Sequence, residues 1–195
     1  MKRAILISGK AQLNQELKSI LPQVNCKIMA STDNGMEGLR LIHRFEPDLV
    51  FMGWDLRGLC SSEVLQNLVV QHLCPTIVIL TQEEHHFLAQ VVDEDAHHVV
   101  LYPWRVFELA AAIQLAERRF NAETEHAQQV QRLEEELKTR KLIFQAMLIL
   151  IQNCNFSEQT AYTALRNQAM SSRKPLRSVA QDVLRGLWLP ENCNE

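Results

Sequence analysis

Between Leu137 and Arg185 the sequence gathers eight basic residues, Lys138, Arg140, Lys141, Arg166, Arg173, Lys174, Arg177 and Arg185, against Glu158 and Asp182. That is a net +6 on a chain whose total is −3, so the remainder carries −9. Guanidinium and ammonium groups at this density bind polyanions, with phosphate oxygens accepting charge-assisted hydrogen bonds. Arg166, Arg173, Lys174 and Arg177 cluster around one stretch, with Gln168, Ser171 and Ser172 as neutral hydrogen-bonding groups and Lys141 upstream. Tyr162 adds an aromatic face on which an unpaired base can stack. The candidate nucleic-acid contacts are therefore Lys141, Tyr162, Arg166, Gln168, Ser171, Arg173, Lys174 and Arg177.

Catalytic and metal chemistry finds no comparable set. His85-His86 and His97-His98 are adjacent pairs whose side chains point apart on any regular backbone. The acidic residues near them, Glu83, Glu84, Asp93, Glu94 and Asp95, read as a solvated loop, and no nucleophile–base pair or cofactor motif accompanies them. The expectation is a protein that is not an enzyme and holds no metal or cofactor. Cys26, Cys60, Cys74, Cys154 and Cys193 are odd in number and widely spaced, without C-x-x-C, which predicts free thiols in a reducing cytoplasm rather than disulfides or zinc. No apolar run reaches the length of a membrane span, and Ala4–Ile7 is too short for a signal peptide.

The elements that must position the basic groups are helical. Ser157–Met170 and Leu176–Leu184 read as two helices behind a long one running in from upstream. Ser157 is a natural N-cap with Glu158 in the first turn, and Pro175 suits the start of the last helix. Ala161, Leu165, Ala169 and Met170 form an inward stripe, faced by Leu176, Val179, Ala180, Val183 and Leu184. From Phe107 to about Asn153 there is neither Gly nor Pro. A stripe of Leu109, Ile113, Ala116, Phe120, Ala127 and Val130 is broken by Glu123; a second runs through Val130, Leu133, Leu137, Phe144, Met147 and Ile151. Such a helix wants a partner for its seam, and a parallel homodimer through Val130, Leu133, Leu137 and Phe144 is the simplest. Glu134–Lys138 and Glu136–Arg140 are spaced as i, i+4 ion pairs.

Residues 1–105 alternate short apolar runs, Ala4–Ser8, Lys27–Ala30, Leu49–Gly53, Thr76–Thr81 and His98–Tyr102, with helical patterns at Leu13–Leu21, Gly35–Phe45, Ser62–Gln71, Glu84–Val92 and Phe107 onward. Strict alternation predicts an α/β domain with a five-stranded parallel sheet, whose functional groups gather at the carboxyl ends of the strands. E-P-D-L-V at 46–50, Thr81 after the fourth strand and Tyr102-Pro103 after the fifth resemble a flavodoxin-like response-regulator receiver. That resemblance implies an acidic pair after the first strand for Mg²⁺, a phosphoacceptor Asp after the third and a Lys before the late proline. Here those positions hold Ser8 and Gly9, Gly53, and Tyr102, and only Thr81 is retained. Asp55, two residues on, restores neither the acidic pair nor the lysine. The reading is a pseudo-receiver that does not signal by aspartyl phosphate. Trp54 and Trp104, with Tyr102, fall at the same strand ends, either filling space or forming an aromatic docking patch for a partner protein.

The C-terminal pattern is more specific than its charge. R-x-x-I-x-x-A at Arg140, Ile143 and Ala146 precedes L-I-L-I at 148–151, S-E-x-x-A-Y-x-x-L-R-x-x-A-M at 157–170 and L-x-x-V-A-x-x-V-L at 176–184. This resembles the ANTAR domain, the RNA-binding output module of the AmiR/NasR transcription antitermination regulators, in an AmiR-like architecture. One departure is Met147, where the family usually carries Lys. The resemblance implies binding of hairpins in a leader mRNA that favours an antiterminator over the competing terminator, and control by a ligand-sensing repressor protein where the receiver is degenerate. The expected organisation is a pseudo-receiver at 1–106, a coiled-coil dimerisation helix at 107–139 and a small all-α three-helix module at 140–190. The competing readings are a DNA-binding helix-turn-helix regulator and a dimeric protein-binding adaptor. Against the first, Pro175 and Arg177 give the last helix little basic surface of its own.

Overall fold

The computed structural model describes residues 1–190 and Cys193. The chain divides after His126 into two compact units, and the division falls inside the predicted connector.

In the first unit, β1 (Lys2–Ile7), β2 (Cys26–Thr32), β3 (Leu49–Gly53), β4 (Thr76–Thr81) and β5 (His98–Tyr102) form one parallel sheet in the order β2-β1-β3-β4-β5. The helices are α1 (Ala11–Ile20), α2 (Gly35–Phe45), α3 (Ser61–Val70), α4 (Leu88–Asp93) and the start of α5 (Val106–Cys154). The last three strands and α2 have the bounds expected from the sequence. β1 starts earlier than predicted, at Lys2, and ends at Ile7 rather than Ser8, while β2 extends at both ends; polar residues continue the ladder, the Lys2 amide donating to the Asn25 carbonyl at 2.9 Å. β2 is an edge strand that, after the buried Cys26, alternates exposed and half-buried residues, so a search for continuous apolar runs stops short at Ala30. The predicted helix Glu84–Val92 is a tight 3-10 turn over Gln82–Phe87 followed by α4.

The central strands bury both faces. Leu6, Phe51, Ile77 and Ile79 pack with Leu17 of α1 and Leu109, Ile113 and Ala116 of α5 on one side. Ile5, Ile7, Met52 and Val78 pack with Ile42, Leu65 and Leu68 on the other. Each fully buried aliphatic side chain contributes about 1.5–3 kcal/mol, so the strand ends sit on a rigid base. Glu123, which interrupts the first apolar stripe of α5, has a structural task. Its carboxylate takes Arg119 Nε at 2.7 Å and lies 3.5 Å from Nε2 of the buried His97. His97 Nδ1 accepts the Thr76 amide at 3.2 Å, which leaves Nε2 as the protonated nitrogen facing Glu123.

In the second unit the end of α5 packs with α6 (Glu158–Ser172) and α7 (Leu176–Leu184). Ser157 caps α6 by accepting the Thr160 amide at 3.2 Å. Ala146, Leu150, Ala161, Leu165, Val179, Ala180 and Val183 are its buried core. Four expectations change here. Met147, placed on the dimer seam by its spacing, is only 8% exposed and belongs to this core, with Ile151 half-buried beside it. Met170, placed inward, is 69% exposed, because α6 ends within one turn and the core lies on the other flank. Glu136 pairs with Arg132 at 3.3 Å rather than with Arg140, whereas Glu134 does reach Lys138 at 3.7 Å. Finally, Cys154 at the end of α5 is joined in a disulfide to Cys193, which corrects the expectation of five free thiols. The pairing spans 39 residues and depends on the chain returning to the α5–α6 turn. Cys26 and Cys74 are buried, which pushes their thiols up to about 11 and about 12, and Cys60 is exposed.

Candidate nucleic-acid interface

α6 presents the sharpest arrangement. Tyr162 and Arg166 stand one turn apart on α6, at i and i+4, within about 40° at about 100° per residue, and Arg173 follows at the C-cap, roughly 16 Å further along from Tyr162. All three are exposed, and Arg173 closes the helix in the left-handed region at φ 52°. Its amide donates to the Met170 carbonyl at 3.3 Å. The guanidinium groups of Arg166 and Arg173 form no ion pair among the described residues, so their charge faces solvent.

The remaining predicted contacts divide around this face. Arg177 is exposed in the first turn of α7, and Lys141 is exposed on α5. Lys174 is engaged: its ammonium meets the Asp182 carboxylate at 3.0 Å. Gln168 is half-buried on the opposite flank, about 120° from Tyr162. The Ser171 hydroxyl donates to the Gln168 carbonyl at 3.1 Å and approaches its Oε1 at 3.3 Å, while Ser172 donates to the same carbonyl at 2.6 Å. These groups are spent on the end of α6 itself.

Sequence reasoning missed that Phe144 and Tyr162 line a common groove between α5 and α6. The groove has a volume of about 740 Å³ and is bordered also by Arg140, Met147 and Gln159. Phe144, read from spacing as dimer seam, is 56% exposed there. Val130, Leu133 and Leu137 are likewise exposed, in a row along α5. The two residues are plain in the sequence, but only the packing of α5 on α6 brings both aromatics to one groove.

The strand ends of the first unit have the opposite character. The pairing of Met52 with Ile7 sets Gly53 beside Ser8, so β3 has no slip available to bring Asp55 forward. A Cβ on Gly53 would lie 3.0 Å from Ser8 Oγ and 3.2 Å from Ser8 Cβ. Ser8 is buried, and its Oγ takes the Lys10 amide at 3.2 Å. Lys10, which the sequence did not single out, crosses to the end of β4. Its ammonium donates to Thr81 Oγ1 at 3.0 Å and pairs with Glu84 at 2.7 Å. Burial alone would raise the Glu84 carboxyl, but Lys10 and the Thr81 amide and hydroxyl hold it below the usual carboxylate range. Tyr102 OH donates to Glu16 at 2.9 Å, and that carboxylate raises the phenol. Mg²⁺ needs hard oxygen ligands, and Ser8, Gly9 and Gly53 supply no carboxylate beside a resident ammonium, so this set does not fit the ion. Trp54 packs on Phe87 with the rings tilted by 43° at 5.9 Å, against one core, and Trp104 meets Tyr102 edge to face at 5.0 Å, against the other. Both tryptophans are half-buried and do not share one patch.

A five-stranded parallel sheet in this order, followed by a helical module with a basic exposed face, defines a two-part regulator. Residues 5–114 match the response regulator receiver domain family, and residues 131–184 match the ANTAR domain. The chain belongs to the response regulator receiver family and carries an ANTAR domain. It is similar to the transcriptional regulatory protein PdtaR of Mycobacterium tuberculosis, 25% identical over 191 residues, covering 98% of this chain and 93% of that protein. It is also similar to the aliphatic amidase regulator of Pseudomonas aeruginosa, 26% identical over 110 residues, or 56% of each chain. A receiver domain protein from Clostridium thermocellum shares the fold at a TM-score of 0.54 with 17% identity, covering 63% of this chain and 98% of that one. A LuxR-family response regulator from Staphylococcus aureus does so at 0.55 with 24% identity, covering 60% of this chain and 99% of that one. Among the described residues no helix is long and apolar enough to cross a membrane, and no cluster of three metal-ligating side chains occurs.

Proposed function

We propose that this protein is an RNA-binding transcription antitermination regulator that holds hairpins of a leader transcript so that a terminator does not form. The observation that carries the reading is the exposed set of Tyr162 and Arg166 on α6 with Arg173 at its C-cap, in the ANTAR domain. Arginines position phosphates there while an aromatic takes an unpaired base, the combination that single-stranded loops select. Similarity to two regulators, one of them described as a transcriptional regulatory protein, supports a role in transcription. The exposed Val130, Leu133 and Leu137 support a homodimer through α5, which would present two modules to two hairpins with a gain in avidity. Control passes through a partner or a ligand-sensing protein in the cytoplasm, because the receiver positions carry no nucleophilic carboxylate.

The test is a titration of the purified chain against a two-hairpin RNA and a DNA duplex of matched charge across a salt series. RNA-selective binding with a steep salt dependence is expected. Equal binding to both turns the reading toward a helix-turn-helix regulator, and no binding to either turns it toward a protein-docking adaptor. Acetyl phosphate with Mg²⁺ is expected to change neither oligomeric state nor RNA affinity.

A further inference from the structure

The groove between α5 and α6 is not explained by backbone recognition. Phosphate contacts need cations on a surface, whereas this groove is mainly apolar and has an aromatic on each helix, Phe144 on α5 and Tyr162 on α6. Neither ring is consumed by the core: Phe144 is 56% and Tyr162 43% exposed. Its volume of about 740 Å³ is within the range of small-ligand clefts. Arg140 borders it, released from its expected partner because Glu136 turns to Arg132. Gln159 contributes a side-chain amide, able to donate and accept at once, and Glu158 beside it a carboxylate that accepts from a base's amino or imino edge. Tyr162 is shared with the Arg166–Arg173 face, so the groove opens where a phosphate chain on that face would run.

We infer that this groove receives one unpaired nucleobase from the bound RNA, flipped out of a hairpin loop, with Phe144 and Tyr162 as its stacking walls and Gln159 as the group that reads its edge. The inference rests on the RNA-binding reading and adds a base site to a phosphate track. A second copy of this chain is the rival occupant. The groove's own border favours the nucleic acid: Arg140 and, across Tyr162, Arg166 bring to it two guanidinium groups, unpaired among the described residues, against the single carboxylate of Glu158. The same cations complement an RNA strand. Phe144 accordingly moves from the dimer seam to the ligand site, and the seam is confined to Val130, Leu133 and Leu137.

The experiment uses the full chain and RNA hairpins enriched by it from a pool randomised in the loop. Each loop nucleotide is replaced in turn by an abasic one, and affinities are measured for the wild type, Phe144→Ala, Tyr162→Ala and Tyr162→Phe. One loop position is expected at which base removal weakens wild-type binding by roughly five- to a hundredfold, the range of a single stacked base. Phe144→Ala and Tyr162→Ala are expected to lose affinity for the intact hairpin and to bind intact and abasic RNA alike, while Tyr162→Phe keeps the discrimination. Iodouracil at that position is expected to cross-link the wild-type chain at Tyr162 or Phe144, a readout independent of how well the variants fold. The inference is overturned if the alanine variants still discriminate. It is equally overturned if no loop position matters to a wild type whose binding Arg173→Ala weakens; the RNA reading then survives alone. Discrimination retained while Phe144→Ala dissociates a dimer assigns the groove to a second copy. A wild type that binds no hairpin removes both readings together.

Discussion

The strand-end face of the receiver and the exposed face of α6 are both sets of polar and aromatic groups at the ends of rigid elements, yet they are finished differently. On the receiver, Lys10 is spent on Thr81 and Glu84, Tyr102 on Glu16, and the space at Gly53 is closed by Ser8. On α6 and at its C-cap, Tyr162, Arg166 and Arg173 are exposed, and neither arginine meets a carboxylate among the described residues. A polar cluster that satisfies itself has little left to offer a ligand, since binding must first break its own contacts. A cluster left open gains those contacts on binding. The first face therefore stabilises its own fold, and the second is the one proposed to meet RNA.

The largest effect that would break this comparison is on assembly. Leu137, exposed to 65% on α5, lies in the row that has no cover among the described residues. Leu137→Asp is expected to convert a dimer wholly to monomer in sedimentation velocity; a dimer that persists moves the interface elsewhere. Next comes the open face itself. Arg166→Ala/Arg173→Ala is expected to weaken RNA binding roughly ten- to a hundredfold and to lower the salt slope by about 2. Lys174→Ala, already paired with Asp182, should change affinity by less than about threefold. If Lys174 proves equal to the arginines, intramolecular pairing is not what separates used from unused cations.

The closed face is tested by forcing it. Gly53→Asp restores a carboxylate but drives its Cβ to within 3.0 Å of Ser8 Oγ, so a loss of about 1–3 kcal/mol is expected in thermal or urea unfolding. Gained stability, or phosphorylation by acetyl phosphate, would show that the face is still open. The smallest effect concerns His97. Burial holds its pKa below the ordinary value, with Glu123 opposing and Arg119 and His72 assisting. The unfolded chain then takes up the proton first, so this contribution is complete above about pH 6.5 and declines as pH falls toward the folded pKa. Wild type should lose up to about 1.4 kcal/mol per pH unit in that window relative to His97→Gln. Parallel pH profiles for the two proteins would contradict a buried neutral imidazole.

Much of the architecture follows from local pattern. Gly35–Phe45, Leu176–Leu184 and three of five strands lie where periodicity places them, because each is a run whose apolar spacing matches one backbone period. The sequence alone also decides that Ser8, Gly9 and Gly53 bring no carboxylate to the strand ends, since a missing oxygen cannot be supplied by folding. It decides that the basic charge lies between Leu137 and Arg185. What only the tertiary structure decides is which groups meet. Lys10 and Thr81, 71 residues apart, become partners because β1 and β4 end on the same edge of the sheet. Cys154 finds Cys193, Glu136 turns to Arg132, Met147 goes inward and Met170 outward. Periodicity assigns a residue to a face, but the crossing of one element on another determines whether that face meets a core, a partner or water.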